Sequence, residues 1–263
     1  MERHEGTTLQ DAGELRAPYR RERLRHLLAL LRRYPTMTAG LAVIVVMVVV
    51  AAAAPLLRTE DPSAVNTPNR LKAPSTLHWF GTDHLGRDVY TRTVYGSRVS
   101  LLVGFSVAAA TMVGGILIGL VAGYFRTLDL VAMRVADGLM AVPAVLLAIA
   151  MVALLGANVT NVIVSLSVVQ VPWTVRVVRG AVLSLRERTF VEAARALGAS
   201  TPRILALHVF PNTLAPLIVQ VTYIAASAIL IEAYLSFLGA GTPPDIPSWG
   251  NIMAQGRNFI RNA

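Results

Sequence analysis

The residues whose types and spacing are most specific lie between Arg186 and Thr213, in the stretch RERTFVEAARALGASTPRILALHVFPNT. Thr189 stands three positions before Glu192, the spacing of a capping box, in which hydroxyl and carboxylate each satisfy a free N–H at the start of a helix. Ala193, Ala194, Ala196 and Leu197 are strong helix formers. Gly198 falls where a helix closes on a left-handed residue. Thr201-Pro202 then supplies an N-cap and a proline at the first helical position, opening a second short helix toward His208. The spacing predicts two short helices joined by a glycine turn over 186–208. Alanine, leucine and glycine offer surface rather than proton transfer, so the chemistry of this stretch is docking.

Reaction chemistry is scarce elsewhere. A phosphate-binding P-loop needs Gly-x4-Gly-Lys-Ser/Thr, and the sole lysine, Lys72, lies in Arg70-Leu71-Lys72-Ala73. The chain supplies no nucleotide site of that kind. Cysteine is absent and the five histidines are scattered, so no catalytic residue and no metal ligand set is expected. The net charge of +9 comes with no interleaving of basic and aromatic residues. It reads as membrane topology rather than nucleic-acid affinity. Asn158-Val159-Thr160 matches a glycosylation acceptor, a three-residue match of little weight.

Membrane helices must position the docking stretch. The chain is 54% hydrophobic and only 15% charged, with a mean hydropathy of +0.57. Residues 34–57, 99–125, 138–175 and 209–231 hold no Asp, Glu, Lys or Arg, in runs of 24, 27, 38 and 23. A bilayer core of ~30 Å takes ~20 apolar residues per helix. The runs lack the alternating pattern of membrane strands, which excludes a barrel. The run of 38 is too long for one crossing, and Gly156-Ala157-Asn158-Val159-Thr160-Asn161 interrupts it as a turn. The fold class expected is an all-α polytopic membrane protein. A tail over 1–36 precedes a transmembrane domain over 37–263, with spans at about 37–57, 99–125, 135–155, 162–178 and 212–235.

Basic residues orient it. The tail to Tyr34 carries 8 Arg, 126–137 carries 2 and 176–208 carries 6, against 6, 0 and 2 in the alternate segments 58–98, 156–161 and 232–263. That bias places the N-terminus and the 186–208 loop in the cytoplasm. Tyr19 to Tyr34 reads as an amphipathic helix on the anionic inner leaflet, or as an inward extension of the first span. The long charged region argues for a retained signal-anchor, although Ala52-Ala53-Ala54 imitates a cleavage site. Gly115, Gly119 and Gly123 repeat the small-xxx-small spacing of closely packed membrane helices, within this chain or against another subunit. Pro143, Pro172, Pro211 and Pro216 suit kinked spans. Arg134, Asp137 and Glu232 lie at span ends, where pairing or solvation explains them more cheaply than a substrate role. Trp79-Phe80 and Trp249 read as interfacial anchors.

Glu192-Ala193-Ala194, then Gly198 and Pro211, resembles the EAA loop of ATP-binding-cassette importer permeases. The positions where that family has a later Ile and Leu are His208 and Phe210 here. His208 followed by Pro211-Asn212 looks like the variant in dipeptide, oligopeptide and nickel permeases. Gly81-Thr82-Asp83-His84-Leu85-Gly86-Arg87-Asp88 with Gly96-Ser97-Arg98-Val99-Ser100-Leu101 resembles that group's segment before the second span. Glu232-Ala233-Tyr234-Leu235-Ser236-Phe237-Leu238-Gly239, with Pro243-Pro244 and Pro247-Ser248-Trp249-Gly250, resembles the segment after the fifth. The resemblance covers about residue 37 to the end, and it points to the second of two membrane subunits.

The resemblance implies a type I importer (MetI-like) transmembrane fold and a non-catalytic permease subunit in the cell inner membrane. It implies as partners a homologous permease, two ATPase subunits that hold ATP and Mg, an external solute-binding protein and membrane lipid, with no cofactor on this chain. Glu192, Ala193, Ala194, Arg195, Gly198, His208 and Pro211 are the ATPase-coupling residues it implies. Segment 58–98 reads as packing on the membrane surface, with a cap against the binding protein as the functional alternative. The cargo implied is di- or oligopeptide, with nickel or another small solute as the alternative. An ATP-independent transporter or channel is the competitor from another class, and a membrane scaffold the third. The family has a sixth span soon after Trp249; none follows before Ala263, so a missing sixth span is expected.

Overall fold

A computed structural model describes Ala29 and residues 32–57, 60–257 and 259. Nearly all of the amphipathic segment expected over Tyr19–Tyr34 lies outside the described residues. The chain divides into two units at Val49–Val50. The first contains most of α1 (Pro35–Ala52), an 18-residue helix rich in valine and alanine that opens on a proline. Proline at this point loses no hydrogen bond, because the first N–H groups of a helix have no partner inside it.

The second unit is helical. Its elements are α2 (Val89–Tyr124), α3 (Arg126–Met140), α4 (Ala144–Leu155), α5 (Val159–Leu185), α6 (Thr189–Ala196), α7 (Thr201–Ile204), α8 (Phe210–Phe237) and α9 (Trp249–Arg257). Helix α2 starts ten residues before the uncharged run that marks it, because Asp88 accepts from the Thr91 amide at 2.6 Å and caps it there. At 36 residues it measures about 54 Å and outreaches a bilayer core.

Helix α5 lies along the glycine face of α2. A Cβ on Gly115 would stand 2.3 Å from Thr174 Cγ2, and on Gly119 and Gly123 it would stand 2.6 Å from Val178 Cβ and Val182 Cβ. Only glycine lets the two backbones come this close. The segment expected as one span over 135–155 is two helices, α3 and α4, bent by 90° across Ala141–Pro143. Pro143 donates no amide, and its ring drives the preceding residue out of helical geometry. Helix α3 is strongly amphipathic, and its carboxylates Asp129 and Asp137 pair with Arg179 and Arg176 of α5. Asp137 thus finds its partner on another helix, not in Arg134 one turn away.

The turn into α5 is made by Gly156 (φ 91°) and by Asn158, which caps α5 by accepting from the Asn161 amide at 2.8 Å. The Asn161 amide side chain returns to the Leu155 and Gly156 carbonyls at 2.6 and 2.9 Å. The Asn-Val-Thr triplet is a helix start. Among the described residues four helices are long and apolar enough to cross a membrane, and the α3–α4 pair counted as one bent span makes five. One apolar core joins α2, α4, α5 and α8 around Val107, Ala148, Leu166 and Ile224; a second gathers at the Tyr124 end of α2.

Candidate docking site

The docking stretch stands on that second core. Helix α6 opens at Arg188, whose carbonyl accepts from the Val191 and Glu192 amides at 2.9 and 3.1 Å. Thr189 is therefore already helical, and no side chain caps the helix. The capping box expected of Thr189 and Glu192 does not form, because the hydroxyl sits one position too late to reach across the helix end. At the other end Gly198 (φ 81°) takes the left-handed role expected of it. Its amide bonds the Arg195 carbonyl and the Ala199 amide bonds the Ala194 carbonyl, each at 3.0 Å. These are the paired bonds of a Schellman closure.

The second short helix is not separate. Ser200, not Thr201, is the N-cap of α7, which passes through a π-helical turn at Leu205–Val209 into α8. Thr201–Phe237 is one helix of 37 residues. In the turn the Phe210 amide reaches back five residues to the Leu205 carbonyl. Pro211, exposed at the start of α8, accounts for it: proline has no amide for the carbonyl four residues back and pushes that carbonyl aside, and a wider turn absorbs both effects. His208 is half-buried on the turn, and its carbonyl accepts from Asn212 Nδ2 at 2.7 Å.

Helix α6 has two faces. Val191 is fully buried, and with Ala194 and Ala199 it packs among Ile116, Leu120 and Tyr124 of α2, Val178 and Val182 of α5, and Ile204 and Leu217. Glu192, Ala193, Ala196, Leu197 and Gly198 face outward, with Leu197 89% exposed. The Glu192 side chain takes no partner among the described residues, and a Cβ added to Gly198 would meet nothing within 4 Å. Of the residues singled out by sequence, Glu192, Ala193 and Gly198 share the exposed surface and Ala194 lies beneath it. His208 and Pro211 lie further along, in the turn. Gly115, Gly119 and Gly123 belong to the α2–α5 contact.

Arg195 is exposed too, and it reaches across to the end of α2. Its Nη2 donates to the Tyr124 hydroxyl at 3.1 Å, and its guanidinium carbon stands 5.9 Å from the ring centroid. At the end of α5, Arg186 Nη1 donates to the Gly123 carbonyl at 3.2 Å, a cation placed where a helix C-terminus favours one. Tyr124 and Arg186 were not among the residues expected to matter. A basic residue just past a helix end is visible in sequence, but the carbonyl it serves, 63 positions away, is not.

The other two motif segments meet at the Asp88 end of α2. Asp83 Oδ2 accepts from Arg87 Nε at 2.7 Å, and Arg87 Nη2 reaches Gln255 of α9 at 2.7 Å. Glu232 is fully buried rather than solvated; one oxygen accepts from the Ser236 hydroxyl at 2.8 Å, and Thr242, Ser248 and Asn251 extend the network. Trp249 is half-buried and donates to the Thr93 carbonyl at 3.2 Å. That bond joins α9 to α2.

A polytopic bundle with a helix–glycine feature at one end and a stapled cap at the other matches a known family. Residues 115–259 match the binding-protein-dependent transport system inner membrane component. The chain belongs to that family. The permease is 45% identical over 233 residues to a Brucella abortus protein named as a peptide transport system permease, covering 89% of this chain and 79% of that one. It is 44% identical over 225 residues to the dipeptide transport system permease protein of Alkalihalophilus pseudofirmus, covering 85% and 74%. With the oligopeptide transport system permease protein of Bacillus subtilis it shares 38% over 219 residues, covering 82% and 72%. It is a multi-pass inner-membrane component of a transport system, with the type I importer transmembrane fold.

Proposed function

We propose that this permease is the second membrane subunit of an ATP-driven importer of di- and oligopeptides, and that α6 docks its ATPase. The two-faced build of α6 carries the reading: a buried side set into the ends of α2, α5 and α8, and a bare side of small residues around Glu192. Ala193 and Gly198 allow close approach by a partner groove, and Glu192 offers it a charge. Ala194 packs beneath the helix, the exposed Arg195 ties it to Tyr124 of α2, and His208 and Pro211 shape the turn that joins it to α8. In this reading ATP and Mg belong to partner subunits, two ATPases, beside a homologous permease and an external solute-binding protein, and the lack of a P-loop in this chain is consistent with it. The bias of basic residues supports a cytoplasmic N-terminus and a cytoplasmic α6. The named specificities of the relatives support peptide cargo.

Co-purification with the ATPase subunits tests the reading. Gly198→Trp and Glu192→Arg are expected to abolish uptake and weaken ATPase association. Normal uptake by Gly198→Trp with the ATPase still bound sinks the docking account. The ligand carried by the associated binding protein decides between peptide and nickel, and uptake that survives ATP depletion would favour an ATP-independent transporter.

A further inference from the structure

We infer that Tyr124 is a positioning residue that passes movement of α6 into the membrane helices through its contact with Arg195; this rests on the docking role proposed for α6. The apolar underside of α6 holds it to the bundle, but apolar contact is non-directional and resists separation better than sliding or rotation. Direction needs a polar contact. Among the hydrogen bonds of the described residues, Arg195 to Tyr124 is the one that joins an α6 side chain to a membrane helix, across 71 positions of sequence. It has two parts. The hydroxyl accepts a hydrogen bond at 3.1 Å, and the ring lies 5.9 Å beneath the guanidinium. The hydrogen bond sets the direction of the guanidinium of the exposed Arg195, and the ring, at the outer edge of cation–π range, adds to it.

Tyr124 stands at a junction. It is the last residue of α2, two positions before the start of α3. The preceding carbonyl, of Gly123, accepts from Arg186 at the end of α5, and Gly123 itself leaves no room between α2 and Val182 of α5. Asp129 of α3 is paired with Arg179 of α5 at 2.7 Å. A displacement delivered at Tyr124 therefore reaches three helices, and the close α2–α5 contact makes that pair respond as one body. Glu192 and Arg195 stand one turn apart on the same exposed side of α6, where Arg195 reaches across to the Tyr124 hydroxyl. The same short helix thus joins the partner's surface to the end of α2.

The test uses the complete importer reconstituted in liposomes and reads solute taken up per ATP hydrolysed. Tyr124→Leu keeps apolar volume and loses both parts of the contact; Tyr124→Phe keeps the ring alone. Both are expected to retain the ATPase subunits on co-purification. Uptake per ATP should fall about tenfold for Tyr124→Leu, within the usual range of coupling between sites, and by less for Tyr124→Phe. Arg195→Gln should match Tyr124→Leu, and the double variant should be no worse than either, because a shared contact is lost only once. A native ratio in Tyr124→Leu, or additive losses in the double variant, overturns the inference. If Tyr124→Leu does not assemble, the isosteric Tyr124→Phe decides by the same ratio. Failure of the native chain to bind any ATPase would instead remove the docking reading itself.

Discussion

Thr189 and Gly198 bound the same short helix, and their sequence signals looked equally strong, but the backbone treats them differently. Thr189 lies inside α6 with no capping bond, so Thr189→Ala should change thermal stability by less than ~0.5 kcal/mol, where a lost N-cap would cost about 1. Gly198 holds φ at 81°, a conformation that costs a residue with a Cβ about 1 kcal/mol or more. Gly198→Ala meets no neighbour, so its melting point should drop through backbone strain alone. A thermal unfolding series in detergent that ranked the two variants the other way would contradict this reading of the helix ends.

At the scale of elements, the glycine face of α2 sets how closely α5 approaches. Gly119→Leu places a side chain where Val178 Cβ already stands, 2.6 Å from the added Cβ. Overpacking of this kind costs about 1–3 kcal/mol. The helices should part and the purified permease should lose stability, whereas Gly138→Leu on α3, with open space around it, should not. Equal melting points for the two variants would disprove that ranking. The α3–α4 bend shows what periodicity alone misses. An uncharged run cannot report a 90° turn; Pro143 hinted at it, but the direction of α3 is held by Arg176 and Arg179 of α5. By contrast, the turn at Gly156 and Asn158 was readable, since a left-handed glycine and an asparagine N-cap act within a few residues.

For the molecule as a whole, α9 closes the Asp88 end by joining α2 and α8 through buried polar contacts. Asn251 donates to the Pro243 and Ile246 carbonyls at 2.8 and 3.0 Å. Asn251→Leu leaves the half-buried Ile246 carbonyl without this donor, at about 1–3 kcal/mol, while the Pro243 carbonyl keeps the Ile246 amide at 3.0 Å. Proteolysis within 239–248 should accelerate in this variant while cleavage near α6 stays unchanged, and uniform protection at both ends would count against a local clamp. Uptake should stop on ATP depletion if the two ends work as one transport device.

By itself the sequence determined what local chemistry can encode: apolar runs long enough to span a membrane, the turn that interrupts the longest run, the left-handed close of α6, and a motif order that resembles one permease group. Those features depend on neighbours a few positions apart or on the solvent. Only the tertiary structure decided which side of α6 is bare, that α7 and α8 are one helix, that Trp249 bonds a carbonyl 156 residues away, and that Arg195 turns to Tyr124. Each of these depends on where a distant helix arrives, and packing sets that arrival through glycine faces and cross-helix pairs whose partners carry no local signal of one another.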